Sequence, residues 1–154
     1  MSTESSSDPA AAAFLRMFSG ETLSDIEAVP QSRLEAAYAE ACVLIDSEDF
    51  EGALDRLLDL VMQDPYDFRF QFGYGLCLQQ LGRTKDAAMH FGLAWMLDPC
   101  DAGCAYRLGE CHAALGDREA AAEAFETAIA LCSPPGLNPD IRLACEAALD
   151  QLHA

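Results

Sequence analysis

The chain repeats itself with a period of 34 residues. Asp64-Pro65 returns as Asp98-Pro99, Leu81-Gly82 as Leu115-Gly116, and Gly75 as Gly109, each 34 residues on. Ala53, Ala87 and Ala121 keep the same spacing, as do Leu57, Phe91 and Phe125. A unit this short cannot bury an apolar face alone, so its copies must stack on one another and share a continuous core.

The period, and the pattern within it, is that of the tetratricopeptide repeat, a helix–turn–helix unit. Its pieces are Tyr74-Gly75-x2-Leu78 and Leu108-Gly109-x2-His112, followed by Ala87-x3-Phe91 and Ala121-x3-Phe125. The expected fold is all-α, with repeats over 34–67, 68–101 and 102–135. The first is the most degenerate: Ala41 stands where the others have glycine, and Leu57 where they have phenylalanine. Small residues let the two helices of a unit cross closely, and Phe or Leu fills the space beyond. The prolines close each unit because they cannot continue a helix.

Helix-start signals agree with this division. Ser32-Arg33-Leu34-Glu35 reads as a capping box. Asp67 and Asp101 are placed as N-caps of first helices, while Asp49, Thr84 and Asp117 sit near the starts of second helices. After the break Ser133-Pro134-Pro135-Gly136, Asn138-Pro139-Asp140 opens a capping helix over 138–153. Its stripe is Ile141, Ala144, Cys145, Ala148, Leu149 and Leu152. Residues 1–7 read as disordered and 8–33 as a helical arm, interrupted at Gly20. That arm serves either as an N-terminal cap or as a dimerisation segment through Phe14, Leu15, Phe18, Leu23 and Ile26.

With 26 acidic against 9 basic residues the formal charge is −17, which argues against nucleic acid and anionic membrane surfaces as partners. No apolar run reaches the ~20 residues of a membrane span. The N-terminus lacks the basic start and apolar stretch of a secretory signal. An odd set of seven cysteines fits reduced thiols in a cytoplasmic protein better than a disulfide framework. Repeat one carries −9 of the charge and repeat two none; the acid would keep the protein in solution beside an aggregation-prone partner.

The first helices of such an array line a concave surface where partners bind. Residues off the core register there are Glu35, Tyr38, Cys42 and Ile45, then Arg69, Phe72, Leu76 and Gln79, then Gly103, Tyr106, Glu110 and Ala113. Tyr38, Phe72 and Tyr106 are equivalent positions, so an aromatic recurs along the face; these rings are either groove floor or plain core. Arg69 is the one base expected there. An aromatic and aliphatic trough suits an extended apolar peptide.

Several segments resemble a particular family. These are Phe14-Leu15, Gly20-Glu-Thr-Leu-Ser-Asp-Ile26, Leu34-Glu-Ala-Ala-Tyr38-Ala, the stretch from Asp64 through Asp67 and Gln79 to Gly82, and Tyr106-Arg-Leu-Gly-Glu-Cys111. Together they are similar to the class II chaperones of type III secretion translocators, the CesD/SycD/LcrH group, from about Phe14 to Phe125. The resemblance implies a cytoplasmic bacterial protein that binds hydrophobic, pore-forming translocator subunits through an extended N-terminal segment of each. It keeps them soluble and apart before secretion. It also implies a homodimer when client-free and, in some members, help to a transcriptional activator. Carried across, Tyr38, Phe72, Leu76 and Tyr106 become peptide contacts. The family has aromatics where this chain has Cys42 and Ile45, and a glycine near Glu48. The alternative reading is a generic tetratricopeptide scaffold or regulatory adaptor.

Enzyme chemistry finds no constellation in the sequence. Cys100-x3-Cys104 with Cys111-His112 lacks the paired spacing of a structural zinc site. His90, His112 and His153 have no nucleophile nearby in sequence, and Gly73-Tyr74-Gly75 follows no strand. No catalytic residue, metal or cofactor is expected.

Overall fold

The computed structural model describes residue 16, residues 19–133 and residues 136–154. Among these residues eight helices follow in order: α1 Leu23–Ile26, α2 Gln31–Asp46, α3 Phe50–Gln63, α4 Phe68–Gln80, α5 Thr84–Leu97, α6 Ala102–Ala114, α7 Arg118–Leu131 and α8 Pro139–His153. Helices α2/α3, α4/α5 and α6/α7 pair as three hairpins, each packs on the next, and α8 packs on α7. The proposed disordered start and the apolar cluster Phe14, Leu15 and Phe18 lie outside the described residues. Leu23 and Ile26 fall on α1, both half-buried.

Local chemistry sets the helix ends. The Asp67 carboxylate accepts from the Arg69 N–H at 2.8 Å, and Asp101 from Cys104 N–H at 2.6 Å. Asp49 and Asp117 accept from Gly52 and Ala120 N–H at 3.0 and 3.1 Å. The Ser32–Glu35 box does not form. Pro30, extended at φ −60° and ψ 136°, is the N-cap of α2, and its carbonyl takes the Arg33 N–H at 2.9 Å. Ser32 lies inside the helix, and Glu35 is engaged by Arg69 instead. Thr84 likewise opens α5 without capping it, because Arg83 is the N-cap. A capping box does occur at α1, where Thr22 and Asp25 bond reciprocally.

Each Asp-Pro pair ends a second helix in the same way. Asp64 and Asp98 leave the helix at φ −141°, ψ 91° and φ −139°, ψ 90°, as the following proline requires. Each carboxylate then accepts an N–H two residues on, Tyr66 or Cys100, both at 3.0 Å.

Three core clusters follow the three repeats, with α8 closing the last. A Cβ on Gly75 would lie 3.1 Å from the Phe91 ring, and one on Gly109 2.5 Å from that of Phe125. In repeat one the same sites hold the buried pair Ala41 and Leu57, a larger first-helix residue against a smaller second-helix one. Ile141, Ala148, Leu149 and Leu152 of α8 pack on the third cluster around buried Cys145. Arg118 also donates to the Leu152 carbonyl, which ties α8 to the start of α7.

Five cysteines (77, 104, 111, 132 and 145) are fully buried. Burial pushes the Cys104 thiol up to about 12, and those of Cys77, Cys111 and Cys145 to about 11. They are protonated apolar fillers. Cys100 is exposed, away from Cys104 and Cys111 in environment, and no group of three His, Cys, Asp or Glu among the described residues could hold a metal ion.

Candidate peptide-binding groove

The exposed side of α2, α4 and α6 carries two polar clamps separated by aromatic and aliphatic surface. The first joins repeats one and two. Arg69 Nη1 and Nη2 donate to the two Glu35 carboxylate oxygens at 3.0 and 2.8 Å, and Nη2 also reaches Asp67 at 2.7 Å. The guanidinium lies 5.1 Å from the Tyr38 ring centre and 5.6 Å from that of Phe70. Its bonds to Arg69 hold Glu35 down at about 2, and the two carboxylates hold Arg69 further up still. Tyr38 is pushed up to about 12, first by burial and then by its bond to Cys42.

The second clamp joins repeats two and three. Gln79 Nε2 donates to Glu110 Oε2 at 3.1 Å, and Arg107 Nη1 donates to the same oxygen at 2.9 Å. The Arg107 guanidinium sits 5.6 Å from the Tyr106 ring centre. Burial, then the bond to Glu110, pushes the Tyr106 hydroxyl up to about 12.

Between the clamps, Phe72 stacks on Phe68 at 5.6 Å and tilts against buried Phe91 at 5.4 Å. Leu76 flanks the same second-repeat cluster. Tyr106 meets Phe125 at 6.0 Å, and Tyr38 meets Phe70 at 5.6 Å. The three recurring aromatics are therefore both things at once: one face of each ring packs on its repeat's core, and each remains half-buried. Beyond Tyr106 the surface opens into a cleft of about 790 Å³ between α6, α7 and α8, with Ala113, Ala144, Ala148 and Leu152 among its walls.

The structure thus brings Tyr38, Cys42 and Arg69 together at one end and Gln79, Tyr106 and Glu110 at the other, with Phe72 and Leu76 between them. Ile45, like Tyr38, is half-buried against the first core cluster. Arg69 is not the one base of this face: Arg107 joins it, detectable in sequence as the i, i+3 partner of Glu110. The contribution of α8 was not legible, because nothing in a helix stripe says which side of the neighbouring hairpin it will meet.

Family models described as tetratricopeptide repeat match residues 38–102 and 102–134, together more than half of the chain. The chain is a tetratricopeptide repeat protein. Among solved structures, this tetratricopeptide repeat protein is similar to a type III secretion system complex from Aeromonas hydrophila. The likeness has 26% identity, a TM-score of 0.85, and coverage of 95% of this chain and 96% of that one. PcrH from Pseudomonas aeruginosa is 26% identical, with a TM-score of 0.76 over 82% of this chain and 96% of that one. PcrH has also been solved in complex with the chaperone binding region of PopD. The fold is shared too with the Yersinia enterocolitica chaperone SycD in complex with a peptide of the translocator YopD, at 22% identity and TM-score 0.77, covering 81% of this chain and 95% of that one. The architecture is that of the class II type III secretion chaperones. Comparison with curated protein sequences finds no match. No described helix is long and apolar enough to cross a membrane.

Proposed function

We propose that this protein is a cytoplasmic bacterial chaperone of type III secretion. It holds an extended apolar segment of hydrophobic translocator subunits on the face formed by α2, α4 and α6. The observation that carries this reading is the match in fold, over 81% of the chain, to chaperones solved with translocator segments, one of them 26% identical. The aromatic face supports it: Tyr38, Phe72 and Tyr106 supply half-buried rings at one-repeat intervals, with Leu76 between, as an extended peptide with alternating anchors needs. Cys42, Arg69, Gln79 and Glu110 edge that surface, and the two clamps offer backbone-directed polar groups at its ends. The role is binding and not catalysis. Without client, the chain pairs with itself through the N-terminal region that includes Phe14, Leu15, Phe18, Leu23 and Ile26.

Co-expression with hydrophobic translocator subunits of a type III secretion system tests the reading. The expected result is a stable soluble complex with the wild-type chain. Phe72→Ala and Tyr106→Ala, still helical by circular dichroism, should lose it at least tenfold. Undiminished capture by both folded variants would move the binding site elsewhere.

A further inference from the structure

The junction between repeats one and two is plugged by polar and aromatic side chains that its counterpart between repeats two and three lacks. At the first junction the Tyr74 ring meets the His90 imidazole edge-on, with centres 4.6 Å apart. His90 Nδ1 lies 2.8 Å from Gln71 Oε1, and Gln71 Nε2 donates to the Pro65 carbonyl at 2.8 Å. One repeat on, the positions of Gln71, Tyr74 and His90 hold Ala105, Leu108 and Ala124. The amide, the phenol and the imidazole are all gone. A cleft of about 240 Å³ opens there between α5, α6 and α7, walled by these three residues with Trp95, His112 and Glu123.

Size, shape and charge together define the occupant. The cleft is smaller than the roughly 300–1,000 Å³ of pockets that take drug-sized ligands, so it has room for one side chain. Its walls are apolar, and Trp95, half-buried, spans the second and third core clusters. The first junction shows which shape this architecture accepts, because His90 seats an aromatic ring at the site that Ala124 leaves open. A ring entering from outside would take that site and meet the Trp95 indole in the offset or edge-on contact that aromatic pairs prefer. Glu123 is exposed at the rim and makes no ion pair among the described residues. Glu119 stands one turn before it on the same helix, also exposed. Like charges at this spacing repel, so a cation beside the ring relieves both. The chain's net charge of −17 favours a basic segment as well.

We propose that the cleft between α5, α6 and α7 receives an aromatic side chain of a partner protein, next in sequence to a lysine or arginine that pairs with Glu123. Ala105, Leu108 and His112 share one face of α6, whereas Tyr106, Glu110 and Ala113 share another. The site is therefore separate from the peptide groove, and it does not rest on the chaperone reading.

Trp95 is the chain's single tryptophan, which makes the test specific. The full-length chain, labelled with nitrogen-15, is titrated with capped dipeptides while the Trp95 indole N–H resonance is followed by NMR. Phenylalanyl-lysine should shift that resonance saturably, and alanyl-lysine should not. Phenylalanyl-glutamate should bind at least threefold more weakly, because it sets a carboxylate against Glu123. Ala124→Phe fills the cleft from within, and Ala105→Gln with Ala124→His copies the first junction. Each of these variants, still helical by circular dichroism, should weaken phenylalanyl-lysine at least tenfold, whereas Phe72→Ala should leave its titration unchanged. Absence of a saturable shift in the wild-type chain would overturn the proposal, as would equal binding of either control dipeptide. So would a wild-type response from both filled variants, or its loss in a folded Phe72→Ala chain, which would place the ring in the groove instead.

Discussion

Glu35 and Arg69 face each other across one full repeat, with the guanidinium donating to both carboxylate oxygens at 2.8 and 3.0 Å. Neither is the other's neighbour in sequence; 34 residues apart, they hold equivalent positions in successive repeats. Their bidentate contact, anchored further by Asp67, fixes how far repeat two is rotated against repeat one and how Tyr38 lies under the guanidinium.

Acidification should loosen this joint. Glu35 titrates in the fold at about 2 against an ordinary 4.5. Its folded form binds fewer protons than its unfolded form, so its stabilisation is present above 4.5 and is lost as pH falls toward 2. Urea unfolding across that window should show a steeper decline for the wild type than for Glu35→Gln. Added salt should shrink the difference, because the pair is exposed.

A second pH effect belongs to His90. Its Nδ1 lies 2.8 Å from Oε1 of Gln71, whose Nε2 donates to the Pro65 carbonyl at 2.8 Å. Gln71 is 3% exposed, and the Tyr74 ring meets the imidazole edge-on at 4.6 Å. Burial holds His90 below its ordinary 6.5, so the fold loses stability as pH falls through 6.5 and the unfolded chain takes up the proton. His90→Gln should flatten the stability profile just below 6.5, read by thermal melts at closely spaced pH values. An unchanged slope would assign the effect to other groups.

Glu48 should be improvable. It adopts φ +61°, and the equivalent positions in the next two repeats are Gly82 at +75° and Gly116 at +83°. A side chain in the left-handed region costs roughly 1–2 kcal/mol, partly offset by glycine's greater freedom in the unfolded chain. Glu48→Gly is expected to stabilise by about 1 kcal/mol in urea denaturation.

The contact of Gly109 with Phe125 predicts a coupled pair. Gly109→Ala places a methyl 2.5 Å from the Phe125 ring and should destabilise by about 1–3 kcal/mol through overpacking. Combining it with Phe125→Leu reproduces the Ala41 and Leu57 arrangement of repeat one. The double variant should be less destabilised than the sum of the two single changes. Additive losses would mean the two repeats solve this crossing differently.

The shared face of these side chains was partly legible in the sequence. Repetition marked Tyr38, Phe72 and Tyr106 as equivalent, and helix spacing put Arg69, Gln79 and Glu110 on their face. Arg107 escaped that reading, although it stands three residues before Glu110 on the same helix. Ser32 misled because a capping box is a local signal. Pro30 supplied the extended residue two positions earlier, so the chain began its helix there.

By itself the sequence determined the all-α repeat architecture, because a 34-residue period with small residues and prolines at fixed places permits one way of burying apolar surface. It also determined the helix ends at Asp49, Asp67, Asp101 and Asp117, where one carboxylate meets its own backbone. Only the tertiary structure decided what depends on two elements meeting: the Glu35–Arg69 and Gln79–Glu110 clamps, the cleft against α8, and the Gln71–His90 bridge. Local patterns report which residues share a helix face. The rotation and separation of successive hairpins arise from side chains packing across tens of residues, and no single segment contains that information.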